Sequence, residues 1–208
     1  MSATFWALNG GKRDDVVVST IAGSGYPWAI AYGGGTYAAC ALIGGTAGTT
    51  KIYTSTDGVT FNTPTVTDST TETYSNTCRS GIYADSKFIF LASDGSGQLR
   101  SLDGDSTGAV FTLRDSSSAP QGSQSIYWDG TRFLGVSGTK LSYSTTGLNN
   151  AWSDSTINAG FGGYGICFGN SLYIAVGQTG AIYTSTDRST WTSRTSGTSD
   201  LLYSVEYS

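Results

Sequence analysis

The amino-acid sequence predicts an all-β fold: a single five-bladed β-propeller over residues 1–208, closed by pairing of the N- and C-terminal strands in one blade. Three observations predict it. A strand–turn–strand unit recurs four times, a polar segment ending in an aromatic residue follows each copy, and each chain end looks like one strand of a further copy. Repeats of this length cannot bury their apolar faces alone and do so against their neighbours.

The unit is a strand ending in an aromatic residue, a four-residue polar turn, and a strand beginning with an aromatic residue. Its first copy is Ala29-Ile30-Ala31-Tyr32, turn 33–36, then Tyr37-Ala38-Ala39-Cys40. Gly81-Ile82-Tyr83 with Phe88-Ile89-Phe90, Ile126-Tyr127-Trp128 with Phe133-Leu134-Gly135, and Ile166-Cys167-Phe168 with Tyr173-Ile174-Ala175 repeat it around turns 84–87, 129–132 and 169–172. The second-strand aromatics Tyr37, Phe88, Phe133 and Tyr173 stand 51, 45 and 40 residues apart, the spacing of a four-stranded propeller blade. The blades so defined are 26–74, 75–122, 123–161 and 162–200.

Downstream of the first and fourth hairpins, Ser55-Thr56-Asp57-Gly58-Val59-Thr60-Phe61 and Ser185-Thr186-Asp187-Arg188-Ser189-Thr190-Trp191 are near copies. Ser101-Leu102-Asp103-Gly104 leading to Phe111, and Ser144-Thr145-Thr146-Gly147 leading to Trp152, are degraded versions. This pattern resembles the Asp-box, or BNR, repeat, in which Ser-x-Asp-x-Gly-x-Thr-Trp folds a turn between a blade's third and fourth strands. Both good copies are one residue shorter than that consensus and lack its second Gly. The resemblance implies a structural role for Ser55, Asp57, Phe61, Ser185, Asp187 and Trp191: side-chain oxygens accept backbone N–H bonds within the turn, and the aromatic packs into the blade.

The fifth blade is predicted to be shared, with 1–25 joined by 201–208. Tyr203-Ser204-Val205-Glu206-Tyr207 reads as a first strand, and Phe5-Trp6-Ala7-Leu8 resembles the second strand Tyr173-Ile174-Ala175-Val176. Closing the ring this way removes an open sheet edge, and Leu202, Tyr203, Val205 and Tyr207 are the expected buried residues of the closing strand. Counting four residues back from each first-strand aromatic gives Trp28, Arg79, Gln124, Tyr164 and Tyr203, followed by the small residues Ala29, Ser80, Ser125, Gly165 and Ser204. The larger row lies where propeller loops open onto one face, and these five residues are the candidate binding positions.

Composition narrows the chemistry. Charged residues are 12% of the chain, the net charge is −4, and 13 Tyr, 8 Phe and 5 Trp supply a core. With a pI near 4.6 and scattered basic residues, no nucleic-acid partner is expected, because phosphate binding needs a Lys/Arg surface. Three cysteines (Cys40, Cys78, Cys167) cannot form a complete disulfide framework and read as small buried thiols. Histidine is absent, which removes the commonest general base and zinc ligand; no metal, cofactor or catalytic residue is expected. Asp14-Asp15 and Asp103/Asp105 are the closest carboxylate pairs, both in polar segments where Asp favours turns, and no Arg precedes a Pro as in the sialidase signature. The N-terminal residues lack a basic n-region, so no secretory signal is read there, and no apolar run is long enough for a membrane helix.

Short Asp-box propellers rich in Gly, Ser and Thr are similar to virion proteins of tailed phages, such as tail-fibre tips and capsid decoration proteins. That resemblance implies a non-enzymatic attachment protein located in the virion, possible as a homo-oligomer, with other virion proteins or cell-surface glycans as partners and no membrane insertion. A lectin-type, glycan-binding propeller is the second expectation, and a glycoside hydrolase the third.

Overall fold

The structure is a computed structural model that describes residues 3–8, 16–21, 25–43, 49–63, 65–68, 78–93, 99–104, 110–116, 125–147 and 151–207. They cluster into two compact units, one of Met1–Gly95 with Leu102–Arg114, the other of Ser96–Ser101 with Asp115–Ser208.

The first unit opens with β1 (Ala3–Leu8) and β2 (Val16–Ile21), an antiparallel pair that forms a two-stranded sheet. Next come β3 (Gly25–Gly33), β4 (Thr36–Ile43) and β5 (Thr49–Ser55), a three-stranded sheet in chain order. A five-stranded sheet follows in the order β6-β10-β9-β8-β7. Its strands are β6 (Thr65–Asp68), β7 (Cys78–Ala84), β8 (Lys87–Ser93), β9 (Leu99–Gly104) and β10 (Val110–Ser116), with β6 parallel to β10. The core of this unit packs Ala31, Ala38, Cys40 and Ile52 against Phe88 and Phe90.

The second unit holds two four-stranded antiparallel sheets in chain order. One is β11 (Ser125–Trp128), β12 (Phe133–Ser137), β13 (Lys140–Ser144) and β14 (Ser153–Thr156). The other is β15 (Gly163–Gly169), β16 (Leu172–Gly177), β17 (Ile182–Ser185) and β18 (Thr192–Arg194). Leu134, Val136, Leu141, Ile157, Phe161 and Ile166 form their common core.

All four hairpins read from the sequence are present, and their turns explain the polar residues. Gly34-Gly35, Asp85-Ser86 and Asn170-Ser171 each take positive φ at both central positions, the left-handed pair that matches the twist of flanking strands. In the third hairpin Asp129 substitutes a side-chain turn: its Oδ1 accepts the Thr131 and Arg132 amides at 2.8 and 2.6 Å. Each hairpin is closed by the predicted aromatic pair, with ring centroids 4.4 Å apart for Tyr32–Tyr37, 4.7 Å for Tyr83–Phe88, 4.5 Å for Trp128–Phe133 and 4.4 Å for Phe168–Tyr173. Such cross-strand pairs fix register. The second-strand aromatic then faces a third-strand Ser in three sheets: Tyr37 opposite Ser55, Phe133 opposite Ser144, Tyr173 opposite Ser185. Phe5 opposite Ser19 in β1–β2 repeats that pairing.

The expected closure is corrected. Residues 201–207 form no strand and join no sheet, and β1 pairs only with β2 among the described residues. Tyr203 and Tyr207, expected buried, are 65% and 54% exposed, while Leu202 and Val205 are half-buried. The physical reason is that this segment lies on the face of β15 rather than along a sheet edge. Ser204 Cα and the Tyr203 carbonyl sit 3.1 and 3.2 Å from where a Cβ on Gly165 would be, and the Tyr207 ring fills the space beside Gly169. One backbone bond, the Leu202 amide to the Gly177 carbonyl at 3.0 Å, ties its start.

Of the cysteines, Cys40 and Cys167 are buried, and burial, with the Glu206 carboxylate, pushes the Cys167 thiol up. The Cys78 side chain lies outside the described residues.

Candidate ligand-binding surface

The candidate positions share a backbone feature that no residue pattern announces. Pairing slips by one residue between Pro27 and Ala29, between Cys78 and Ser80, and between Gly163 and Gly165. Trp28, Arg79 and Tyr164 are therefore each the extra residue of a β-bulge. A bulge bends its strand and re-aims one side chain out of the alternating pattern. Gln124 lies outside the described residues.

Within each unit the bulge residue meets a second predicted residue. The Arg79 guanidinium carbon lies 5.9 Å from the Trp28 ring centroid, at the outer limit of a cation–π contact. Trp28 is 47% exposed, and Arg79 is exposed beside it. In the other unit Tyr164 and Tyr203 meet edge to face, centroids 5.2 Å apart at 62°. A large exposed ring beside a cation or a second ring offers a flat apolar face with a polar handle, the chemistry of contact hot spots. The same bulged strand also exposes Ile30 and Tyr32.

The Ser–Asp segments form another class of site, in which one carboxylate oxygen gathers the donors of its own turn. The Ser55 hydroxyl donates to Asp57 Oδ1 at 2.8 Å and accepts the Gly58 amide at 2.9 Å, while Asp57 Oδ1 also accepts the Val59 and Thr60 amides at 2.8 Å. Ser185 and Asp187 repeat this with the Arg188, Ser189 and Thr190 amides at 2.8, 2.8 and 2.7 Å. The Thr60 and Val59 amides and the Ser55 hydroxyl hold Asp57 at about 2, and the Thr190 and Ser189 amides with the Ser185 hydroxyl hold Asp187 at about 2. In the third copy Thr146 stands at the Asp position, and the Ser144 hydroxyl accepts the Thr146 and Gly147 amides at 3.2 and 2.9 Å. Phe61 packs on Ala39, Ala41 and Tyr53, and Trp191 on the core of its own unit.

Arg188 was not singled out by sequence. Its position in the turn is left-handed in the first, third and fourth copies, with φ of 71° at Gly58, 71° at Gly147 and 69° at Arg188. A side chain there costs strain. The Arg188 guanidinium offsets it by lying over the Tyr143 and Tyr173 rings, 5.2 and 5.8 Å from their centroids. Tyr173 in turn donates its hydroxyl to Asp129 at 2.9 Å. Burial, then Asp129, raise the Tyr173 hydroxyl. Burial alone would also raise Asp129, but the bonds from Thr131, Tyr173 and Arg132 outweigh it and lower the carboxyl.

No protein-family model matches the chain, and no curated protein is similar to it. Solved structures are. YCF48 bound to D1 peptide is similar with a TM-score of 0.57 at 15% identity, over 92% of this chain and 65% of that one. An exo-β-1,3-galactanase from Phanerochaete chrysosporium, solved with β-1,3-galactotriose, is similar at 0.51 and 15% identity, over 84% of this chain and 50% of that one. The computationally designed Ika4 protein is similar at 0.54 and 9% identity, over 80% of this chain and 95% of that one. The chain thus spans half the length of the galactanase and about two-thirds of YCF48. At these identities the likeness shows the fold, all-β and propeller-like. The expectation of a protein without enzymatic activity is corrected by the galactanase: a chain of like fold is a glycoside hydrolase. The lack of histidine does not exclude that chemistry, which runs on paired carboxylates.

Proposed function

We propose that this protein is a carbohydrate-binding propeller that attaches a larger particle to a glycan-bearing surface. The single observation that carries the reading is the delivery of the exposed Trp28 and the half-buried Tyr164 on β-bulges, each beside an exposed residue, Arg79 or Tyr203. Rings fixed by backbone geometry lose little entropy on meeting a ligand, and aromatic rings dominate contact energies. Within this reading the particle is a virion of a tailed phage, with the chain as tail-fibre or decoration protein, a setting supported by the Asp-box resemblance and the Gly/Ser/Thr-rich composition.

The same reading takes the fold to be a five-bladed ring of Asp-box type. Its support is that β1–β2 repeats the second-to-third-strand pairing of three other sheets, Phe5 opposite Ser19, and that Tyr203-Ser204-Val205-Glu206-Tyr207 reads in the sequence as a further first strand. A glycan array probed with the wild-type protein and with Trp28→Ala and Tyr203→Ala tests the function. Glycan binding weakened in both folded variants supports it; binding unchanged in both, or no glycan bound by the wild type, overturns it.

A further inference from the structure

Tyr207 stands outside the aromatic pairs described above, and we propose that it positions one of them: its ring, packed on the backbone of Gly169, holds Tyr203 against Tyr164. This assignment rests on the carbohydrate-binding reading and goes further in naming the residue that assembles one part of the surface. The geometry is a pair of matched anchors. Gly165, Cys167 and Gly169 share one face of β15, because side chains alternate across a strand. A Cβ on Gly165 would lie 3.1 Å from Ser204 Cα and 3.2 Å from the Tyr203 carbonyl, and a Cβ on Gly169 would overlap the Tyr207 ring. Four residues separate the anchors on β15 and four separate Tyr203 from Tyr207, so an extended segment reaches both without slack. Between the anchors Cys167 is fully buried, and the Glu206 carboxylate lies close enough to raise its thiol.

Tyr203 needs the second anchor. It is 65% exposed and meets Tyr164 edge to face, centroids 5.2 Å apart. A ring so exposed keeps one place when the backbone is fixed on both sides of it. On the N-terminal side the Leu202 amide bonds the Gly177 carbonyl at 3.0 Å. On the C-terminal side the Tyr207 ring sits on Gly169, where the missing side chain leaves room for it. A ring ordered before binding spares the entropy of ordering it at contact. A residue that touches no ligand therefore sets affinity through one that does.

The test compares the full chain with Tyr207→Ala, Tyr207→Phe and Gly169→Ala, the last filling the same space from β15, so that one variant still answers if the other fails to fold. Three signals are read besides Tm: the nuclear Overhauser contact between the Tyr164 and Tyr203 rings, alkylation of Cys167 by iodoacetamide located by peptide mapping, and binding to the glycan array. Tyr207→Ala and Gly169→Ala should lose the ring contact and alkylate Cys167 faster. Both should bind array glycans roughly two- to tenfold more weakly, the scale of ordering one side chain at binding. Tyr207→Phe keeps the ring and should match the wild type in all three. A Tyr164–Tyr203 contact that survives in the folded Tyr207→Ala and Gly169→Ala variants overturns the inference. Array binding that Tyr203→Ala weakens and Tyr207→Ala leaves unchanged also overturns it, while the carbohydrate-binding reading stands. A wild type that binds no array glycan overturns that reading instead, and the ring contact alone then decides whether Tyr207 positions Tyr203.

Discussion

The strand β7 and the segment Leu201–Tyr207 bear the same relation to a first strand, yet only one of them is a strand. Tyr83 of β7 fills the space beside Gly33 of β3, and Tyr207 fills the space beside Gly169 of β15. Four residues earlier, Arg79 meets Trp28 and Tyr203 meets Tyr164. β7 is continued by a left-handed turn at Asp85-Ser86 into β8, which supplies its ladder, whereas 201–207 joins no sheet. The difference teaches that face-to-face packing onto glycine places a first strand, and that its hydrogen-bonded neighbour makes it regular. Placement and pairing are separable.

The largest way to break this comparison is to delete 201–208. Deletion removes five apolar side chains, Leu201, Leu202, Tyr203, Val205 and Tyr207. Their full burial contributes roughly 1.5–3 kcal/mol each, and with Tyr203 and Tyr207 about half exposed a loss of roughly 3–5 kcal/mol is expected. Urea denaturation should report it. A loss below about 1 kcal/mol, the usual scale of surface changes, would show a segment that only rests on β15.

The glycines sharpen the comparison. Gly33→Val puts a side chain into the Tyr83 ring, which β8 holds in place, and overpacking of this kind costs roughly 1–3 kcal/mol. Gly169→Val meets Tyr207 in the same way. Equal costs by thermal denaturation are expected if 203–207 is held as firmly as β7. A nearly silent Gly169→Val, with Tyr207 swinging aside, would show that it is not.

Local order was legible in the sequence and long-range partners were not. The four hairpins followed from aromatic residues bracketing polar turns, because a turn's backbone angles depend on the few residues within it. The row Trp28, Arg79, Tyr164 and Tyr203 followed from counting, but its bulges did not, since a bulge is a property of two strands. Tyr203-Ser204-Val205-Glu206-Tyr207 announces its shape without naming its neighbour, so burial was overestimated there. Arg188 stands where the other three copies carry Gly58, Gly104 and Gly147, and its tyrosine contacts come from a different sheet and a different strand.

The Ser–Asp turns, alike in their hydrogen bonding in both units, give the smallest effect. Asp57→Asn and Asp187→Asn should each lower Tm slightly and by similar amounts. Because both carboxyls are lowered from 3.8 to about 2, their contribution is fully present above pH 3.8 and disappears as pH falls through about 2. Wild-type Tm should therefore decline across that window, and the double variant should decline less; parallel curves contradict the assignment.

The central claim, that bulge-borne rings form the ligand surface, is tested most directly by the indole N–H signals of the five tryptophans in a ¹⁵N spectrum during titration with an array-selected glycan. The Trp28 signal should shift in proportion to occupancy, while those of Trp152, which is buried, and Trp191, whose Nε1 bonds the Arg188 carbonyl at 3.1 Å, stay fixed. Saturable binding that leaves Trp28 unmoved would contradict the account.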